Sequence, residues 1–346
     1  MKTINKRLSQ LDIEEDIEPM DVSNEEKEAM KKRVRQKIHQ KRRVPKVWRN
    51  VAAAAVIMVG SVATIGIGFP TLANQIPIVN NIFSYFTDEE DGFYAEYEEF
   101  ATGIGQVQNS NGVTMMVDHA VYDGKTVTIT YSVETEKELG QNTGVNGQPE
   151  VKNESGASGT STMLKKVGDN QYIGMVTTTP NFDSKQTQQS ITVNWRPESI
   201  VKYDTEEEIK GEWNFDFTLE EVKGEVQTVT ESTAKDGVEV KINEIRSTDI
   251  STVIEYNQKV DRFVSDKWEW VTAELSVTDN LGNEYLVNGN GGHSENNQDF
   301  YWSATMGKIN GQATSLIFIP EVILSKGSGN GHETLILDPI EVILDK

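Results

Sequence analysis

The chain contains no cysteine, and its 346 residues include only four histidines. Without thiols there are no disulfides, no thiolate zinc ligands and no cysteine nucleophile. The histidines, at positions 39, 119, 293 and 332, lie far apart, and no Gly-x-Ser-x-Gly, His-Glu-x-x-His or phosphate-loop motif occurs. We therefore expect a protein that is not an enzyme and that uses no cofactor and no metal.

Acidic residues are absent from residues 29–87, although the whole chain carries a net charge of −21. Ten Lys or Arg residues lie between Lys31 and Arg49, and the next basic residue is Lys125. The run Val51–Phe69 consists of 19 uncharged residues. Nineteen helical residues cover about 28 Å, close to the ~30 Å hydrocarbon core of a bilayer. This pattern predicts a transmembrane helix over residues 51–69.

Two other interpretations of this run stay open: a buried helix of a soluble core and a cleaved signal peptide. A buried helix rarely has an uncharged surface all round beside a dense basic flank, and about 50 preceding residues are far too many for a signal peptide's basic region. Because basic residues stay on the cytoplasmic side of a span, we expect a single-pass protein of the cell membrane, in contact with lipid. Its N-terminus is then cytoplasmic and its C-terminus extracellular.

Charge also separates the two sides of the predicted span. Residues 1–50 carry 14 basic and 9 acidic side chains, a net +5, whereas residues 51–346 carry 19 basic and 45 acidic ones, a net −26. An acidic exterior does not attract nucleic acid, so we expect no direct nucleic-acid partner.

The cytoplasmic tail contains two short amphipathic helix patterns, the second beginning at the capping-box residues Ser23–Glu26. Such helices cannot bury a core of their own, and helix-in-groove binding to a partner is the natural use of their apolar stripes. A disordered tail that only fixes the membrane orientation is the open alternative. The candidate partner-binding residues are the aliphatic side chains of the two stripes: Ile4, Leu8, Leu11, Met30, Val34 and Ile38.

Beyond residue 91 the sequence is typical of β-strands. Residues 112–117 and 126–133 alternate in polarity, with a turn at Asp123-Gly124 between them. Further strands are predicted at 189–195, 213–219, 270–278 and 314–319. The pattern Gly112-Val113, Val117, Ile129, Tyr131 recurs 125 residues later as Gly237-Val238, Ile242, Ile254, Tyr256. This internal repeat predicts two β-sandwich-like (immunoglobulin-like) extracellular domains.

Several polar or aromatic segments of the exterior have two interpretations. Residues 140–162 and 288–298, rich in Gly, Ser and Asn, are predicted to be loops. Asp279–Asn283 superficially resembles a calcium loop but is interpreted as a hairpin turn. Trp268 and Trp270 are placed on one strand face, where a core or edge role is commoner than a ligand platform.

The predicted fold class is therefore mainly β, with a short helical cytoplasmic tail, one transmembrane helix and two extracellular β-domains. The juxtamembrane segment is expected either to lie on the outer leaflet or to pack against the exterior domain. The predicted boundaries are 1–50 for the tail, 51–69 for the span, 70–91 for the juxtamembrane segment, 92–224 for the first β-domain and 225–346 for the second.

The segments Ile17–Ser23, Trp48–Ala55 and Ala73–Val79, followed by Ile82-Phe83, resemble those of membrane-bound anti-sigma factors of Gram-positive bacteria. In that family a short cytoplasmic segment holds an extracytoplasmic-function sigma factor inactive, and an uncharacterised β-rich domain lies outside. Many members carry a zinc motif of one His and two Cys, but this tail has only His39. The resemblance therefore implies the zinc-free type.

The resemblance implies a function in signal transduction and transcription regulation, in which the six stripe residues contact the sigma factor. An intramembrane or surface protease is a further expected partner, because release of the tail would follow cleavage near residues 70–90. The alternative function is a cell-surface adhesion or envelope-scaffold protein whose N-terminal tail is purely topogenic.

Overall fold

The computed structural model describes residues 82–87, 93–140, 142–155, 159–182, 188–296, 298–327 and 331–345. The predicted tail, the predicted span over residues 51–69 and the juxtamembrane segment up to residue 81 lie outside these ranges. Within the described ranges, none of the helices has the length and apolarity needed to cross a membrane.

The described part of the chain is mainly β, as predicted. Its three short helices are α1 (Ile82–Thr87), α2 (Tyr97–Phe100) and α3 (Arg262–Ser265). Strands β1 to β11 are Thr102–Ser110, Val113–Tyr122, Val127–Thr135, Thr143–Asn146, Pro149–Val151, Gly159–Lys166, Gln171–Thr179, Ser190–Trp195, Ser199–Lys202, Glu207–Lys210 and Phe215–Glu220. Strands β12 to β22 are Gly224–Thr228, Ser232–Lys235, Val238–Thr248, Ser251–Val260, Trp270–Asp279, Glu284–Tyr285, Val287–Asn296, Asp299–Gly307, Ser315–Ser325, His332–Ile336 and Ile340–Ile343.

Strands β1 to β11, here called the first unit, form three sheets. These are β1-β2-β3-β7-β6, β10-β9-β4 and β11-β8-β5. Strands β12 to β22, the second unit, form two sheets. The first of these has the order β12-β14-β15-β19-β18, and β13 also pairs with β14. The second has the order β17-β16-β20-β21, and β22 also pairs with β20. All sheet pairs in the described residues are antiparallel, which suits the short connections between successive strands.

Alternating apolar residues bury one face of each sheet. In β3, Val127, Ile129, Tyr131 and Val133 point into the first unit's core, where they meet Trp195 and other side chains of the facing sheets. The second unit has a separate core of the same kind. Because β-branched and aromatic residues pack well on a pleated surface, this alternation drives strand formation as well as burial.

The 125-residue repeat is present in the strand pairing itself. The β2–β3 hairpin pairs Val117 with Tyr131 and has a β-bulge directly after Val117. The β14–β15 hairpin pairs Ile242 with Tyr256 and has its bulge directly after Ile242. The two units therefore contain the same hairpin in the same register, and the sequence repeat reflects a repeated structure.

The two copies differ in the sheet that lies across the core. In the second unit, β16 pairs with β20 in one continuous register. In the first unit the equivalent pairing is split, and the register of β5 with β8 is displaced by one residue relative to β4 with β9. Gly147, at φ 101°, occupies the break, where a Cβ would lie 2.6 Å from the Arg196 carbonyl oxygen. Pro197 opposite lacks the N–H that a continuous ladder requires.

The prediction of loops was wrong for about half of residues 140–162 and for most of residues 288–298. Residues 140–162 contain β4, β5 and the first half of β6, and residues 288–298 contain most of β18. These strands lie at sheet edges or are only three or four residues long. Edge strands bury few side chains, so their composition does not carry the alternating signal on which the prediction relied.

Candidate functional site

The six residues predicted to bind a sigma factor lie outside the described residues. Their arrangement stays a prediction: Ile4, Leu8, Leu11, Met30, Val34 and Ile38. The nearest described segment to them along the chain is the stretch from α1 to α2. We call residues 82–100 the strap; its described parts are 82–87 and 93–100.

The strap packs its aromatic side chains against one another. Phe83 lies 5.7 Å from Tyr97 and 6.5 Å from Tyr94 between ring centroids, and Tyr94 meets Tyr97 edge-on at 5.1 Å. Phe93 adds a fourth ring, 4.8 Å from Tyr94. Aromatic pairs at these separations add to the free energy gained from burial alone. The two parts of the strap are therefore joined by ring contacts.

The strap lies on the outer face of the first unit's five-stranded sheet, away from the main core. Its side chains share a separate buried cluster with Val121 of β2 and with Ile173 and Met175 of β7. Phe86 is fully buried there, and the Lys165 ammonium lies 5.0 Å from the centre of its ring. Of the two predicted locations for this region, packing against the exterior domain is the one observed for the strap.

The repeat provides an internal comparison for this outer face. The positions equivalent to Val121, Ile173 and Met175 in the second unit are, by strand register, Arg246, Tyr301 and Ser303. The first unit thus carries an apolar outer face where it binds the strap, and the second unit carries a polar one. Apolar residues on both faces of β2 and β7 are a sequence signal of burial on both faces of these strands.

The second unit completes this cluster. Ile250, in the turn between β14 and β15, is 1 % exposed and belongs to it. A Cβ placed on Gly307 would lie 3.8 Å from the Phe93 Cα. We call this region, where the strap meets both units, the joint.

Asp123 is a carboxylate buried in the joint. Its Oδ1 accepts hydrogen bonds from the backbone N–H groups of Lys125 (2.9 Å) and Thr126 (2.6 Å), and its Oδ2 accepts one from the Ser251 hydroxyl (2.9 Å). Burial raises the pKa of Asp123, and these hydrogen bonds partly oppose the increase. The pKa of Tyr97 is also raised, first by burial and then by the nearby Asp123, while a hydrogen bond with Ser251 opposes the rise. A polar network thus connects the strap, the first unit and the second unit.

Ion pairs surround this network. Lys125 Nζ lies 3.1 Å from Glu255 Oε1, and Arg246 Nη1 lies 3.2 Å from Glu221 Oε1. The Arg246–Glu221 pair is the more buried of the two and is therefore the less screened by solvent. These contacts fix how the second unit docks against the first.

The histidines and acidic residues of the described ranges were further candidates for a functional site. The described residues contain no group of three or more His, Asp or Glu side chains placed to bind a metal. His119 Nδ1 lies 2.9 Å from Asp118 Oδ2, and this hydrogen bond raises the pKa of His119 against the opposing effect of burial. The other described histidines, His293 and His332, lie in β18 and β21, and His293 thus falls within a segment that was predicted to be a loop.

The structure accounts for the Asp279–Asn283 segment as a turn. Asp279 accepts hydrogen bonds from the backbone N–H groups of Leu281 and Asn283 and from the Asn283 amide and Tyr285 hydroxyl. Both carboxylate oxygens of Asp279 therefore accept hydrogen bonds within the turn that connects β16 to β17.

The two tryptophans do not share a strand face. Trp268 precedes β16 and is buried, with the ammonium groups of Lys267 and Lys326 at 4.5 Å and 5.5 Å from its ring. Trp270 begins β16 and is 62 % exposed. The prediction assumed that the strand extends back to residue 268, whereas the turn after α3 rotates Trp268 into the core.

A cavity of about 560 Å³ lies at the break between the β4–β9 and β5–β8 pairings. Its lining includes Glu150, Thr160, Asn194 and Arg196, and Arg196 Nε donates a hydrogen bond to Asn214 Oδ1 (3.1 Å). Most of these side chains are exposed, so the cavity is a polar depression and differs from the enclosed apolar pockets that usually bind small molecules.

Comparisons with known proteins identify two families in the chain. Residues 43–135 match the Domain of unknown function (DUF4179), and residues 224–344 match the Family of unknown function (DUF5643). No curated protein gives a significant match. The crystal structure of bovine butyrophilin is 6 % identical to this chain, and the alignment covers 65 % of this chain and 94 % of that one. Its TM-score of 0.17 is too low to indicate a shared fold.

A much closer likeness is found to the crystal structure of the conserved domain protein from Bacillus anthracis. That chain is 32 % identical, and the alignment has a TM-score of 0.70. It covers 78 % of this chain and 100 % of that one. The chain therefore belongs to the family of the conserved domain protein from Bacillus anthracis.

Proposed function

We propose that the chain is a single-pass membrane anti-sigma factor of the zinc-free type, which sequesters an extracytoplasmic-function sigma factor and relays an envelope signal. The observation that carries the proposal is the charge layout: ten basic residues, then 19 uncharged ones, then a strongly acidic remainder. Such a layout places a short basic tail in the cytoplasm and a large domain outside the membrane. A protein of this kind can transmit an extracellular signal to a cytoplasmic partner.

The proposed exterior consists of two immunoglobulin-like β-sandwiches in the predicted ranges 92–224 and 225–346. Facing sheets that share one core in each unit support this assignment. The match of residues 43–135 to one family supports a continuous module, because it includes both the predicted span and strands β1 to β3.

The proposed inhibition rests on apolar contacts alone, since the tail has no cysteine and one histidine. Each aliphatic side chain buried in a groove of the sigma factor would contribute roughly 1.5–3 kcal/mol. The three residues of the second stripe, Met30, Val34 and Ile38, would together contribute a large share of the binding free energy, and part of it offsets the entropy lost on association. Signal reception outside, with cleavage by a membrane or surface protease, would then release the tail.

Affinity capture with the full chain tests the proposal. The wild-type chain should retain a sigma factor, and Val34→Asp or Ile38→Asp should abolish retention because each places a charge within the apolar stripe. Gln36→Asp is the matched control, since it adds the same charge on the opposite side of the predicted helix. Capture that is unchanged by the stripe variants would contradict the assignment. A chain that captures no sigma factor would favour the adhesion or scaffold alternative.

A further inference from the structure

We infer that the strap and the second unit are mechanically coupled through the joint, so that displacing the second unit releases the strap from the first. The coupling is a physical property of the exterior region. Its use as a signal relay rests on the proposed function, whereas the coupling itself can be measured without any sigma factor.

The strap has one place to bind. Its buried side chains Ile82, Phe83 and Phe86 require an apolar surface, and the outer face of β2 and β7 supplies it. The equivalent face of the second unit carries Arg246 and Tyr301, which would leave the same side chains against polar groups. The strap is therefore specific to the first unit.

The strap's site is incomplete without the second unit. Ile250 closes the edge of the aromatic cluster and is as buried as the first unit's own residues in it. The Ser251 hydroxyl donates to Asp123, and Asp123 lies close enough to Tyr97 of the strap to raise the pKa of the Tyr97 hydroxyl. Removing this turn would expose the ring cluster at Phe93 and Tyr97 and would leave a buried carboxylate without one of its donors.

Docking of the strap and docking of the second unit stabilise each other. If the second unit stabilises the docked strap, the docked strap must stabilise the docked second unit by the same free energy. The connection between the units, residues 221–223, is short, and Val222 donates its N–H to the Tyr122 carbonyl oxygen. The second unit can therefore tilt only by opening the joint, which is where the strap is held.

A ligand or a force that acts on the second unit would thus change the accessibility of the strap. In the strap, residues 88–91 are Asp-Glu-Glu-Asp, a polar stretch between two docked parts. Release of both parts would free the chain that leads to the predicted span. This assigns the second unit the role of the sensor and the strap the role of the reporter.

Hydrogen exchange of the full chain tests the coupling, with Ile250→Ala as the variant. We expect exchange of the amides of residues 82–87 and 93–100 to accelerate by at least about tenfold, the ratio given by a loss of ~1.4 kcal/mol. The amides of β3 should keep their protection. Val264→Ala is the matched control, because Val264 is also buried in the second unit but lies at the opposite end of the β14–β15 hairpin.

Two results would overturn the inference: strap exchange that is unchanged by Ile250→Ala, or an equal acceleration by Val264→Ala. Where Ile250→Ala does not fold, Ser251→Ala gives the same test, since it removes only a hydroxyl. Tyr97→Phe should in turn accelerate exchange in the 248–252 turn. The exchange experiment involves no sigma factor, so its result is independent of the capture experiment. A negative result in one experiment therefore does not contradict the other.

Discussion

Replacing Phe83 with alanine should detach the strap while leaving both units folded. Phe83 is 2 % exposed and contacts the rings of Tyr94 and Tyr97. Truncation of a buried Phe to Ala typically costs 3–5 kcal/mol, a range that includes the cavity and the lost ring contacts. The strap is held by only a few such side chains, so a loss of this size is a large share of its docking free energy.

The loss of strap contacts should not destabilise the rest of the first unit. The main core of the first unit is a separate cluster that does not include Phe83. Once the strap has detached, further weakening of its contacts cannot destabilise the sheets. We therefore expect exchange of the strap amides to approach that of an unstructured peptide, while global unfolding in urea shifts by no more than the docking free energy.

Tyr85→Ala is the matched control for this experiment. Tyr85 lies in the same helix but is 49 % exposed, so its removal changes helix propensity without emptying a core position. The two variants are compared by hydrogen exchange of residues 82–100 and by urea unfolding. Equal effects of Phe83→Ala and Tyr85→Ala would refute the docked arrangement of the strap.

Three further predictions concern the first unit. Asp123→Ala should destabilise the fold by about 1–3 kcal/mol in urea unfolding, because it leaves buried donors without their acceptor. Asp123 has a raised pKa, so its contribution to stability is complete below pH 3.8 and is lost as the pH rises through the folded-state value; Asp123→Asn should gain stability relative to wild type over that window, and a pH-independent difference would contradict this. Gly174→Ala should cost about 1–3 kcal/mol, because its Cβ would lie 2.1 Å from Cζ of the buried Tyr131; an unchanged urea midpoint would show that the ring can move.

Much of the fold was predictable wherever one face of a strand is buried. Residues 126–133 alternate, and they form β3 over Val127–Thr135 with the turn at Asp123-Gly124 before it. The repeat was also visible, because the core positions of the β2–β3 and β14–β15 hairpins need the same kinds of side chain at the same spacing. Local periodicity carries this information directly.

What could not be predicted depends on contacts between distant segments. Val121, Ile173 and Met175 mark the outer face of β2 and β7 as buried, but only the folded structure shows that the strap covers it. The joint likewise brings Asp123 to Ser251, residues 128 positions apart in the chain. A lone Asp in a hairpin turn is usually exposed, so no local pattern identifies its burial. Edge strands such as β18 were not predicted for the opposite reason. Too few of their side chains are buried to produce an alternating pattern of apolar and polar residues.

The proposed function requires that a membrane separates the basic tail from the acidic remainder. The absence of cysteine allows a direct measurement, since a single introduced thiol is the only one present. Ser9→Cys lies in the predicted tail, and Thr205→Cys lies at an exposed turn of the first unit. In intact cells, a membrane-impermeant maleimide should label Thr205→Cys at once and Ser9→Cys only after permeabilisation. Labelling of Ser9→Cys in intact cells, or protection of Thr205→Cys, would contradict the account.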